Sequence, residues 1–390
     1  MPVDTSAFHA RRTDLERFRE MRDTEPAWRD PDRGAWNVYR YDDAAAILAD
    51  QRRFSSDFAR LNPDHADLME GNIVAMDPPR HDQLRGLVSQ AFTPRTIAGL
   101  SERITALTTE LIDQLPSSRE MELIGDLAYP LPVIVMAELL GIPASDRTQF
   151  KVWADALFNR SEADRFARTN IDAARSEIKN FHDYLRKHVG DRRRRPRQDL
   201  ITDLVAAEID GQRLRDAEIV GFATILLLAG HITTTLLLGN TILCLDEHPL
   251  AQSALRSAPE QIPAALEEVL RVRSPVPFTA RVTTTSVRVG DGDASIESGQ
   301  LVYVWLQSAN LDERRFVAPD RFEIDRHPNP HLAFGRGIHF CLGAPLARLE
   351  SRIALAILLR RFSAIHIRPN QTLETHTLFN GVRSLHLELT

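Results

Sequence analysis

The 390-residue chain has two cysteines and three lysines, and no repeat or low-complexity tract. Cys244 and Cys341 are too few for an iron–sulfur cluster, which usually takes four thiolates, and too few for a disulfide framework. No Cys/His quartet has the spacing of a structural zinc site. With a formal net charge of −6 there is no basic excess to neutralise phosphates, so nucleic acid is not expected as a partner. The N-terminal stretch is charged and lacks the apolar core of a secretion signal, which points to a cytoplasmic protein.

What is there reads mostly as helix. Apolar residues recur at helical spacing over 13–22, 42–50, 80–92, 97–114, 124–140, 144–158 and 162–189. Alternation predicts strands at 36–41, 280–284 and 301–306, with glycines 290, 292 and 299 in turns. The arginine run 192–195 reads as a solvated loop between helices. Length alone suggests two or three domains, but the strands are few and short, an accessory to a helical body.

Residues 219–245 contain no charged side chain. That length would span a bilayer. The stretch also holds Gly221, Gly230, His231, Asn240 and five threonines, so it reads as a helix through a large core, apolar all round because it is buried all round.

The most informative segment is Phe334-Gly335-Arg336-Gly337-Ile338-His339-Phe340-Cys341-Leu342-Gly343. Three glycines flank one cysteine just before a strongly helical run with Pro345 in its first turn. Glycine allows a backbone to approach a large flat ligand. A thiol opening a helix is favoured as thiolate by the helix N-terminus, which suits a metal ligand.

This decapeptide fills every fixed position of F-G-x-G-x-H-x-C-x-G and resembles the haem-binding loop of the cytochrome P450 family. The resemblance extends from about residue 36 to the C-terminus, and stretches such as 226–235 look like macrolide-tailoring bacterial members. It implies a mainly α P450 fold over residues 1–390 as a single domain, a small β region, and haem b (iron protoporphyrin IX) with Cys341 as axial ligand. Phe334, Gly335 and Gly343 would complete the loop. His81 and Arg85, Arg281 and His339 resemble the donors to the haem propionates. Glu268-Val269-Leu270-Arg271 matches the family's E-x-x-R, locked by a further arginine assigned to Arg321. Ala229-Gly230-His231-Ile232-Thr233-Thr234 matches the oxygen-binding groove. Small Ala229 and Gly230 would leave room for O2, and Thr233 with Thr234 would handle protons. Ile232 departs from the family pattern, standing where an acid is usual, and cannot relay a proton.

The implied activity is monooxygenation of a small hydrophobic natural product, a polyketide macrolide in antibiotic biosynthesis. Electrons would come from a ferredoxin and its NAD(P)H-dependent reductase, docking near Arg85, Arg336 and Arg348. Substrate contacts are expected from Asn72, Val74, Leu226, Val276, Phe278, Thr279 and Phe379. A peroxygenase using H2O2 directly and a non-catalytic haem sensor are the alternative readings.

Overall fold

The computed structural model describes residues 6–61, 71–115, 120–162, 168–209, 211–290, 294–376 and 378–390. Its axis is the helix Asp216–Glu247. Asp216 and Glu218 in the first turn suit the positive end of the helix, and Glu218 accepts from the Arg215 backbone N–H at 2.9 Å. Pro249 starts the next helix, Pro249–Ser257, just beyond its end.

The central helix packs against Pro130–Leu139, Arg147–Glu162, Arg168–Arg194, Ile262–Val272 and Ala344–Arg361. It is long and apolar enough to cross a membrane, yet 61% of its most apolar window is buried inside the protein. The five threonines cause no difficulty there. Thr224, Thr233, Thr234, Thr235 and Thr241 each donate to the carbonyl four residues earlier, at 2.7–3.1 Å. Cys244 is buried on this helix as a core residue.

Five short strands form the main sheet, in the order Ala27–Arg29, Trp36–Val38, Leu301–Val304, Thr279–Thr283, Phe54–Ser55. Only the Trp36–Val38 and Leu301–Val304 pair is parallel, with Trp36 opposite Val302. A smaller sheet joins Ile365–Ile367, His386–Leu389 and Glu120–Glu122. The larger apolar core lies among the helices, and a second core fills the space between the main sheet and Tyr41–Ala49.

Several boundaries differ from the periodicity. The strand expected to reach residue 41 ends at Val38, because the Tyr41 N–H donates to Asp312 Oδ2 at 2.9 Å and a helix begins. The stretch 97–114 is divided at Leu100 between Pro94–Gly99 and Ser101–Asp113. The stretch 124–140 opens as a wide turn, Ile124–Ala128, before Pro130 starts the regular helix. Glycine 292 lies outside the described residues.

The arginine run is also corrected. Arg192, Arg193 and Arg194 form the last turn of Arg168–Arg194, and Arg192 is buried. Its guanidinium meets Asp199 at 2.5 Å, Asp191 at 3.0 Å and the Gly141 carbonyl at 3.0 Å. Two acceptors from neighbouring segments and one from the preceding residue of its own helix make burial of this cation tolerable.

Candidate active site

One cavity lies between the central helix and the loop 334–343. Helical spacing carries Leu226, Ala229, Gly230, Thr233 and Leu237 to its wall, while Phe334, Gly335, His339, Cys341 and Gly343 form the opposite side. A Cβ on Gly230 would stand 2.3 Å from Met136 Cε, so the flexible Met136 side chain would have to swing aside to admit one.

The loop is built by backbone geometry. Gly335 and Gly337 have φ of +71° and +74°, a region that other residues rarely adopt. A Cβ on Gly337 would lie 2.5 Å from the Leu48 carbonyl oxygen, a backbone atom that cannot step aside. Cys341 N–H donates to the Phe334 carbonyl at 2.9 Å, so the loop folds back on itself. Burial pushes the Cys341 thiol up, while the Gly343 and Ala344 N–H groups and the charges of Arg85 and Arg348 pull it back. A metal cation at Sγ would complete that pull.

Around the same space the chain gathers arginine and histidine donors, of which His81 has Asp82 on its Nδ1 at 2.9 Å. Among the described residues no Asp or Glu lines the cavity. Arg281 is 6% exposed, its nearest acceptor being the carbonyl of Ala280 at 2.7 Å, and burial lowers its pKa to about 10. Arg85 lines the cavity and donates to the Phe340 carbonyl at 2.8 Å; burial lowers its pKa too. The His81 and His339 rings meet at 4.4 Å, and the Nε2 of each is buried without a partner. Burial, then Arg281, His81 and Arg85, bring His339 down to about 3. Two carboxylates would satisfy this set, and a porphyrin with two propionates beside a thiol meets all of it.

Behind the loop stands a second cluster. Glu268 and Arg271 are fully buried and bidentate, at 2.8 and 2.7 Å. The third member is Arg326, whose Nε donates to Glu268 Oε1 at 2.9 Å. Arg321, expected in that place, has an exposed side chain and contributes only its carbonyl, which accepts from Arg271 at 3.0 Å. The Glu323 N–H and Asn329 Nδ2 also donate to Glu268, each at 3.1 Å. The segment leading to the loop is thus tethered to one carboxylate. Glu267, next to it, accepts from Arg348 at 2.7 Å and His331 at 3.0 Å; burial opposes its charge, yet these donors bring it to about 2. Of the arginines expected near a docking face, Arg348 is therefore tied inward, while Arg336 is exposed.

The expected substrate contacts divide. Val74, Leu226, Val276 and Thr279 line the cavity. Asn72 does not: its side chain accepts from the Val74 N–H and caps the turn Ile73–Ala75. Phe278 and Phe379 line a separate cavity instead. Phe92, Met136, Phe222 and Ile225 belong to the wall and were not expected. Helical spacing from Leu226 could have found Phe222, at i−4; nothing local marks Phe92 or Met136. His231 lies off the cavity wall, fully buried, its Nδ1 on the Leu227 carbonyl and its pKa lowered by burial to about 4.

A thiol loop, four propionate-type donors, His81 and Arg281 buried and Arg85 and His339 half-buried, and a groove of small residues define a haem-thiolate protein, and the chain belongs to the cytochrome P450 family, whose profile matches residues 14–382. It is a P450 monooxygenase, and its family binds haem b through a cysteine thiolate. Cyclomarin C epoxidase CymV of Salinispora arenicola is 46% identical over 90% of this chain and 89% of that protein. Erythromycin C-12 hydroxylase of Saccharopolyspora erythraea is 43% identical over 89% and 86%. The ligand-free structure of cytochrome P450 TbtJ1 superposes with a TM-score of 0.91 at 43% identity, covering 100% of this chain and 99% of that one. Bacterial relatives of this kind act on secondary metabolites.

Proposed function

We propose that this enzyme, a single haem-centred domain of the cytoplasm, hydroxylates or epoxidises a hydrophobic natural product of the polyketide macrolide class. The observation that carries the activity is the set of arginine and histidine donors gathered around Cys341 at a cavity that no acid among the described residues lines. Macrolide chemistry rests on the relationship to erythromycin C-12 hydroxylase and on an apolar wall suited to a large aliphatic ring.

In this reading Cys341 ligates the iron, and His81, Arg85, Arg281 and His339 hold the two propionates. Bound haem supplies the reduction of O2 and the insertion of one oxygen atom into a C–H or C=C bond. Val74, Leu226, Val276 and Thr279 fix the substrate over the reacting face and exclude water. The Thr233 hydroxyl rests on the Ala229 carbonyl at 2.8 Å, and Thr234 on Gly230 at 3.1 Å. Rotation of the Thr233 hydroxyl away from that carbonyl turns its proton toward the cavity. With Ile232 in place of an acid, Thr233, Thr234 and water carry the protons. Electrons come from a ferredoxin and its reductase, docking on the thiolate side near exposed Arg336 and Phe340.

The test of the ligand is the CO difference spectrum of the reduced protein. The strongly red-shifted Soret band of thiolate ligation is expected, and Cys341→Ser should abolish it. Persistence of that band in the variant would remove Cys341 from the iron. For the substrate class, macrolactones should convert the ferric haem from low to high spin; a panel in which only other natural products do so would refute the macrolide reading.

A further inference from the structure

The wall 275–279 separates two cavities. Pro275, Val276 and Thr279 face the haem space, whereas Pro277 and Phe278 face a second cavity of about 370 Å³. The central helix is shared in the same way, with Leu237 on the first and Asn240 and Leu243 on the second. The second cavity falls in the size range of small-molecule sites, roughly 300–1,000 Å³.

Its walls are aromatic. Trp305 packs against Tyr39, Phe18 and Phe278 with ring centroids at 6.0, 5.4 and 5.0 Å. Its polar groups are specific in sign. Arg17 at the exposed rim and buried Arg273 line it, and none of the described lining residues is acidic. Arg273 is held by Glu247, which leaves Arg17 as the accessible cation.

At the deep side Asn240 is fully buried. Its Nδ2 donates to the carbonyls of Arg273 and Asn380 at 3.0 and 2.9 Å, which fixes the amide's orientation. Oδ1 is left buried without a donor. Buried acceptors in folded proteins are nearly always paired, so this one points to a missing partner.

We propose that this cavity is a second ligand site for a hydroxylated aromatic acid. The ring lies against Trp305 and Phe278, the hydroxyl donates to Asn240 Oδ1, and the carboxylate meets Arg17. Because the occupant presses on the segment whose other face touches the haem cavity, its binding and substrate binding are coupled, each altering the other's affinity by the same factor.

Isothermal titration of the haem-loaded enzyme with 4-hydroxyphenylpropionate, with imidazole saturating the iron, tests this. Saturable binding that is insensitive to imidazole is expected. Phenylpropionate, lacking the hydroxyl, and 4-ethylphenol, lacking the carboxylate, should each bind roughly tenfold more weakly. Arg17→Gln should weaken the acid by a similar factor and leave 4-ethylphenol unchanged, a difference that misfolding would not produce. Thr375→Trp, which fills the rim, should abolish binding while the Soret spectrum stays that of the parent. Competition with imidazole, absence of saturable binding, or equal affinity of the acid for Arg17→Gln and the parent would each overturn the proposal.

Discussion

Removing the Arg326 guanidinium should weaken the protein far more than removing that of Arg321. Arg326 is 7% exposed and gives Glu268, itself 0% exposed, a charge-assisted hydrogen bond at 2.9 Å. Its other nitrogens serve the carbonyls of Val317 at 2.8 Å, Arg321 at 3.2 Å and Ala318 at 3.3 Å. A charge-assisted bond in a dry core contributes roughly 1.5–3 kcal/mol. Breaking a whole buried ion pair costs about 3–5 kcal/mol. Glu268 keeps both bonds from Arg271, so Arg326→Ala falls between these two figures, at about 2–4 kcal/mol. Glu268→Gln takes the buried countercharge from Arg271 and leaves Arg326 with Glu323 at 2.9 Å, and should cost about 3–5 kcal/mol. Arg321→Ala removes an exposed side chain and leaves the carbonyl that Arg271 uses, so it should stay within about 0.5 kcal/mol. Urea unfolding of the haem-loaded protein, followed in parallel by the Soret band and far-ultraviolet circular dichroism, measures the difference. Haem content after purification reports whether the 334–343 loop has loosened. If Arg321→Ala costs as much as Arg326→Ala, the assignment of the third member is wrong.

Other consequences can be checked separately. Thr233→Ala should let O2 consumption continue while product per NAD(P)H falls by about tenfold or more, and unchanged coupling would exclude the hydroxyl from proton handling. Gly337→Ala should lose haem: it forces a Cβ to within 2.5 Å of the Leu48 carbonyl at φ +74°, and a left-handed backbone alone costs about 1–2 kcal/mol; a fully loaded variant would contradict this. Glu350 is raised by burial from 4.5 to about 8. Its folded-state pKa lies above the unfolded value, so the stability it contributes is complete below pH 4.5 and lost as pH rises through 8. Glu350→Gln, with no proton to lose, should gain on the parent by several kcal/mol between those limits, and a difference independent of pH would refute the assignment.

The parts of the molecule set by local chemistry were legible in the residues. The glycine-flanked loop and the uncharged 219–245 stretch each require their structure whatever surrounds them. Where a long-range partner decides, local pattern misled. Arg321 and Arg326 are both arginines of the same Pro-rich segment, and only the placement of Glu268 selects between them. Arg192 reads as surface charge until Asp199 and the Gly141 carbonyl close over it. Phe278 sits between Val276 and Thr279 in sequence, but the turn of the backbone there delivers it to the other cavity. Asn72 is spent on its own turn.

The threonines of the central helix all find their acceptors one turn back, within the helix itself. Thr235 also reaches the Ala128 carbonyl at 2.9 Å, but that carbonyl lies off the haem cavity, whose walls need offer only shape. Apolar side chains at Phe92, Met136, Phe222 or Val276 can be exchanged for others of different size without stranding a polar group. New substrates become reachable by changes of contour, each at the packing cost of a core substitution, roughly 1–5 kcal/mol, while the chemistry stands still.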